Sequence, residues 1–397
     1  MSMLRRLLAV LLLLGLAPAA AQAQHLGSGN PDEPGNGTIA FSRTAVSQWL
    51  PLRRGYSSLI AVDATINGQP VVALIDTAFP VSYVDSGFAR ANGLPVQRLG
   101  GGKQVAQAGI REFRLGPITQ HGGGFPTLDM SRYREGSNLP ATMVLGADFL
   151  GTVAFEIDYA RNRIRFRESG ATPPAGIAVP ITLVQPNNQI FLSLRVGQVT
   201  LDRVVLSTGA NTMLKVTAEN WARLPLAGRR QTSIIAPGPS GDEIWPLARF
   251  DGVRLGEVSL NRVEIFSLPG ALRGSDADGI LGTEALLGYH LFVDASAGRM
   301  VLTRRTDGYR PKPPGLLGLQ GVTTARGYEI EYVMPNSPAA AVGLKPKDLI
   351  CIVNGERIDA SWIGTPKDDW GSSPVGTRYT LSLCNGRTLT LVTQEFY

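Results

Sequence analysis

Val71-Val72-Ala73-Leu74-Ile75-Asp76-Thr77-Ala78-Phe79-Pro80-Val81-Ser82-Tyr83-Val84 is the stretch on which the reading of this chain turns. Five apolar residues climb to one carboxylate, Asp76, and the chain turns immediately after it. A carboxylate at the end of a buried strand is costly unless it is paired or hydrogen-bonded, so this one demands a reason. Just upstream, Asn67-Gly68 is a strong hairpin signal between Ile60–Ile66 and the apolar run. A weaker copy of the elbow, Val204 to Leu214 (VVLSTGANTML), follows 131 residues later (207 minus 76), with Ser207 in the acid's place. Two half-matched elbows predict a duplicated fold with its site between the copies.

Other features repeat in the same order. Val253 to Gly256 echoes Phe113 to Gly116 at an offset of 140 (253 minus 113). Ile280-Leu281-Gly282 echoes Val144-Leu145-Gly146, and Phe292-Val293-Asp294 echoes Glu156-Ile157-Asp158, both at 136 (280 minus 144; 292 minus 156). A near-constant offset over several elements is the signature of internal duplication. The Ser169 to Gly176 stretch, SGATPPAG, is linker-like and divides the halves. Asp85 to Asn92, ending at Gly93, is expected to form a short helix.

The 397 residues suffice for two or three domains, and 44% hydrophobic with 18% charged content describes a globular chain. The 46 Gly and 27 Pro favour short strands and many turns. The net charge of +6 comes without a basic cluster interleaved with aromatics, so no nucleic-acid partner is expected. Arg5 and Arg6, the apolar Leu7 to Leu16 and Ala21-Gln22-Ala23 have the layout of a signal peptide over residues 1–23, cleaved near Ala23/Gln24. The expected location is periplasmic or secreted, with no membrane span after cleavage. Cys351 and Cys384 would be free to pair in that compartment, but spacing alone leaves open whether they do. His25, His121 and His290 are scattered, and no HExxH, CxxC pair or Ser/His/Asp order is present, so neither a metal nor another cofactor is expected. His121-Gly122-Gly123-Gly124 reads as a flexible loop. Asp148, Asp158 and Asp294 read as structural turn residues.

The two elbows resemble those of the pepsin and retropepsin class of aspartic proteases. In that family each lobe carries apolar-apolar-Asp-Thr/Ser-Gly on a turn and a later apolar-apolar-Gly strand beside it. Ile75-Asp76-Thr77-Ala78 with Gly146, and Ser207-Thr208-Gly209 with Gly282, match these positions over about residues 56–305. The resemblance implies a mostly β protein of two closed-barrel lobes, spanning 56–170 and 177–306, behind a leader and first strand at 24–55. It implies Asp76 as the catalytic carboxylate, with Thr77 and Thr208 hydrogen-bonding across the lobes. Two departures matter. Ser207 replaces the second acid, and a hydroxyl cannot share a proton near neutral pH as a carboxyl does. Ala78 replaces a glycine, harmless at negative φ and damaging at positive φ.

After a Pro-rich linker at 307–314, residues 315–397 resemble a PDZ domain of the kind found in bacterial envelope proteases. The matching strings are the Gly315 to Leu319 loop, Ser337-Pro338-Ala339-Ala340 before Gly343-Leu344, and Asp348-Leu349-Ile350 before Val353-Asn354-Gly355. The resemblance implies a β-sandwich with short helices. In it Leu317, Gly318 and Leu319 would take a protein C-terminus and the next strand would accept the peptide. The groove-lining helix would fall near Ser361 to Ser373, where Gly364 and Pro366 are poor helix formers. The expected activity is hydrolysis of polypeptides in the cell envelope by Asp-activated water; the alternative is a pseudoprotease that binds peptides through cleft and PDZ domain without cleaving them.

Overall fold

The computed structural model describes residues 37–42, 48–55, 59–99, 105–131, 133–134, 138–238, 241–269, 276–309, 315–363 and 365–397. The signal-peptide expectation, the leader up to residue 36 and residues 310–314 of the Pro-rich linker lie outside them. The described chain is mostly β, in several sheets with short helices. Among the described residues no helix is long and apolar enough to cross a membrane.

The first unit is built on the hairpin Ile60–Ile66 and Gln69–Ile75. Its turn uses Asn67 at φ 51° and Gly68 at φ 81°, the left-handed pair that a two-residue hairpin turn needs. Met143–Leu145 then inserts parallel to Gln69–Ile75, with Leu145 beside Ile75, and antiparallel to Tyr83–Asp85. The helix Ser86–Ala91 follows at once, its N-terminus capped by the Asp85 carboxylate accepting from Phe88 N at 2.9 Å. The strand Thr38–Phe41 pairs with Ile118–His121, so the chain joins this sheet well before residue 56. Residues 121–124 bend between Ile118–His121 and Gly124–Leu128, with Gly122 and Gly123 at positive φ, and are tied to the neighbouring chain by Gly122 N donating to Arg111 O at 2.9 Å and Ile110 N to Gly123 O at 3.0 Å.

The pairing pattern recurs further along. Gln189–Val196 and Val199–Ser207 form a hairpin. Gly279–Gly282 runs parallel to Val199–Ser207, with Gly282 beside Ser207, and antiparallel to Leu214–Thr217. A sheet links the two units through Val153–Asp158 and Tyr289–Asp294, antiparallel, with Phe155 opposite Val293. On it lie Glu156 and two of the acids read as structural, Asp158 and Asp294. Glu156 accepts from Arg165 Nε at 2.6 Å, Asp158 from Arg163 Nε at 3.0 Å, and Asp294 from Arg299 Nη2 at 3.2 Å. Asp294 also accepts from Ser169 Oγ at 2.6 Å and Gly170 N at 2.9 Å, which pins the linker-like stretch.

The C-terminal unit is a sheet in the order Leu319–Thr324, Gly327–Val333, Leu349–Val353, Arg378–Leu383 and Thr388–Val392. Among the described residues of 360–373 the helical elements are the 3₁₀ turns Ala360–Trp362 and Pro366–Asp369. Cys351 and Cys384 are joined in a disulfide, with Cα atoms 5.2 Å apart.

Candidate active site

Asp76 sits where Gln69–Ile75 ends, its N–H donating to Leu145 O of the inserted strand at 3.0 Å. The next residues turn, and the turn meets its counterpart at Ser207. The two threonines interlock. Thr77 Oγ1 donates to Leu206 O at 2.7 Å and Thr208 Oγ1 donates to Ile75 O at 2.9 Å. In return Thr77 N donates to Thr208 Oγ1, and Thr208 N to Thr77 Oγ1, both at 3.1 Å. Each hydroxyl thus donates and accepts once across the interface, leaving no buried group of the quartet unmatched. The result is that Asp76 and Ser207, 5% and 0% exposed, are held against each other.

Three donors converge on one oxygen, Asp76 Oδ1: Ala78 N at 2.9 Å, Ser207 Oγ at 3.0 Å and Gly209 N at 3.2 Å. Among the described residues nothing donates to Oδ2. Ala78 is not among the residues of positive φ, so the change from glycine there is harmless. Gly209 is different: a Cβ at that position would overlap the Asp76 carboxylate. Gly146 and Gly282 pack just as closely, since a Cβ on Gly146 would press on the Phe79 and Val81 backbones and one on Gly282 on the Thr212 carbonyl. Asp148, behind the first turn, accepts from Ser82 N at 2.9 Å and Ser82 Oγ at 2.6 Å, and that hydroxyl accepts from Gly146 N at 3.0 Å. It supports the turn through Ser82.

Burial pushes the Asp76 carboxyl above the usual carboxylate range, against the three donors and a nearby cation. That cation, Lys215, is a residue the sequence reading missed. It lies on Leu214–Thr217 and is 2% exposed. Burial pulls its ammonium down to about 7, with Asp76 opposing the fall. Tyr133 is also close enough to Asp76 to feel its charge, and its ring meets Phe79 edge-on at 5.9 Å. A lone lysine inside Leu214-Lys215-Val216 was the available signal.

The loop residues 317–319 are placed at the start of the C-terminal sheet. Leu317 is buried in that unit's core, and Gly318, at φ 77°, already donates its N–H to Gly315 O at 3.2 Å. Leu319 begins the edge strand, opposite Val333. The chain's own residues 394–397 lie against this loop: Gln394 N donates to Leu316 O at 3.2 Å, and a Cβ on Gly318 would approach the Phe396 ring. A surface pocket of about 530 Å³ lined by Asn67, Asn92 and Arg111 is separate from Asp76. Among the described residues no group of His, Cys, Asp and Glu is arranged to hold a metal.

Residues 62–149 match the family model described as "Aspartyl protease". That match spans the Asp76 turn and the strand that ends just before Gly146, so this part of the chain is similar to an aspartic-protease domain. No curated protein matches the sequence. Among solved structures, the chain is similar to basic 7S globulin from soybean, at 11% identity over 64% of this chain and 93% of that one, with a TM-score of 0.37. It is likewise similar to conglutin gamma, a basic 7S globulin from lupine seeds, at 11% identity over 69% and 96%, with a TM-score of 0.39.

Proposed function

We propose that the chain is an exported hydrolase of the aspartic-protease type, made of two duplicated lobes and a PDZ-like C-terminal domain. It holds polypeptide extended between the lobes and activates water with Asp76. The observation that carries the reading is the interlocked pair of turns: Thr77 and Thr208 bond reciprocally, and Ser207 Oγ meets Asp76 Oδ1 at 3.0 Å. In this mechanism Asp76 takes a proton from water through Oδ2, while Ser207, Ala78 and Gly209 fix the carboxylate through Oδ1. Loss of one positioned acid lowers the rate by roughly 10²–10⁴ relative to a full dyad. The test is incubation of a denatured protein with the purified chain from pH 3 to 8, with fragments read by mass spectrometry. Cutting by wild type and none by Asp76→Asn supports the reading; equal cutting by both refutes it.

A second reading, peptide binding without cleavage, draws on a different observation. The hydroxyl facing Asp76 is no acid, and the charged group acting on Asp76 is a cation. Under it, fluorescence anisotropy would detect unfolded polypeptide held intact, equally by wild type and Asp76→Asn. For the PDZ-like domain we assign a bracing role ahead of peptide capture. Residues 394–397 occupy the loop at 316–318, and the edge beyond it faces the second lobe through Gln320.

A further inference from the structure

A buried ammonium beside a buried carboxylate is costly for both, and neither is excused by the turn geometry alone. Lys215 sits opposite Ile280, and Ile280 sits beside Val205. Residues directly paired across strands share a face. Val205 and Ile280 belong to the apolar cluster that crosses to Ala78 of the first unit, whereas Leu214 and Val216 point the other way into the main core. Lys215 is thereby directed toward the junction where the two turns meet. The Trp245 ring, with its centroid 6.0 Å from Nζ, covers it.

We propose that Lys215 is the counter-charge of Asp76, a positioning residue that takes the electrostatic place of the missing second acid and keeps Asp76 a carboxylate. The inference rests on Asp76 being the working group of the site, but not on the chain cutting anything. The three donors at Oδ1 all suit an acceptor that carries no proton, so the hydrogen-bond geometry and the cation ask for the same state. Tyr133 faces Asp76 from the first unit as a neutral phenol, Tyr83 lies by Asp148, which is held behind Ser82, and Glu243 lies beyond Trp245 at 3.4 Å from Nε1. In a two-acid site the neighbour repels a second negative charge and one proton is shared. Here the neighbour is positive, so the sign is reversed and the pair is a cation and a carboxylate. Its upper limit is the pH at which Lys215 loses its proton, and its lower limit the pH at which Asp76 gains one.

The test follows the Asp76 carboxyl carbon by NMR across pH in wild type, Lys215→Met and Lys215→Arg, each checked for fold by near-UV circular dichroism. The Asp76 midpoint is expected to rise by about one pH unit or more in Lys215→Met and to stay near wild type in Lys215→Arg. An unmoved midpoint in a folded Lys215→Met overturns the proposal. A reciprocal measurement guards against a variant that fails to fold. The dimethylated Lys215 amine should titrate at lower pH in Asp76→Asn than in wild type, because coupling between two sites is mutual. An identical midpoint in both likewise overturns it. Cleavage is scored separately: midpoints that move in a protein that cuts nothing uphold the Lys215 assignment and remove the hydrolase reading.

Discussion

Ser207→Asp should convert the site from one carboxyl to two. The Ser207 hydroxyl lies 3.0 Å from Asp76 Oδ1 and is fully buried, so a carboxyl introduced there meets Asp76 directly. At about 3 Å and an effective dielectric near 20, two negative charges repel by roughly 5 kcal/mol, equivalent to about four pH units. The two groups must therefore share a proton over most of the acid range, which is the state that supplies a base and an acid together. The backbone is ready for it. Gly209 N now spends its proton on Asp76 Oδ1 at 3.2 Å, whereas Ala78 N already serves Asp76 at 2.9 Å, so Gly209 N is free to turn to the new carboxyl. The expected gain in cleavage of a denatured protein is roughly 10²–10⁴, strongest at acid pH. The assay compares wild type, Ser207→Asp and the double variant with Asp76→Asn from pH 3 to 7. A folded Ser207→Asp no faster than wild type at every pH, or cutting that survives Asp76→Asn, would refute the assignment of these two positions to one site.

Three further outcomes are expected. Thr208→Val leaves the Ile75 carbonyl and the Thr77 N–H without their buried partner, and should cost about 2–5 kcal/mol in urea unfolding, with Thr77→Val behaving alike. Glu156, drawn down to about 2 by His290 and Arg165 in spite of burial, stabilises the fold above its ordinary value of 4.5. Glu156→Gln should therefore destabilise by on the order of 1–2 kcal/mol at pH 7, allowing for solvent screening, and the gap should close as pH falls toward 2. Reducing Cys351–Cys384, which spans 33 residues, should lower the stability of the C-terminal unit by about 2–4 kcal/mol, read by its tryptophan fluorescence under denaturant with and without dithiothreitol.

What the sequence makes legible here is local. Asn67-Gly68 dictates its own turn, Asp85 caps the helix after it, and Pro366 opens a 3₁₀ turn, Pro366–Asp369, where a groove-lining helix would have run. Asp76 is legible because an acid at the end of an apolar strand has few structural excuses. Lys215 is hidden for the opposite reason. A lysine in a short strand ordinarily points to water, and only its register with Ile280 turns it inward. The pairing of Cys351 with Cys384 depends on strands 349–353 and 378–383 lying side by side, a non-local fact. The same holds for the partner of Thr38–Phe41, which is Ile118–His121, about eighty residues along the chain.

The C-terminal unit reaches the site through a hairpin and through Phe266 of the neighbouring strand Val263–Leu268, which pairs with Lys215. Gln231–Gly238 is the edge strand of the second unit's sheet, and edge strands carry unpaired backbone groups. Gln320 satisfies one residue's worth of them: its Oε1 accepts from Ile235 N at 2.8 Å and its Nε2 donates to Ile235 O at 3.0 Å. Ile234, Trp245 and Leu247 of the hairpin share an apolar cluster with Met334, Phe396 and Tyr397 of the C-terminal unit. Trp245 in turn covers Lys215. The unit thus fastens the roof over the proposed counter-charge, and loosening it should be felt there. Gln320→Ala removes both bonds and should cost about 1–3 kcal/mol locally. Hydrogen exchange at the Ile235 and Ile234 amides should accelerate, while that of Gln69–Ile75 stays unchanged. In the same variant the Lys215 midpoint should rise from about 7, since a looser Trp245 admits water and water favours the ammonium. Faster exchange with an unmoved Lys215 would mean that the C-terminal unit braces the hairpin alone and has no hold on the site.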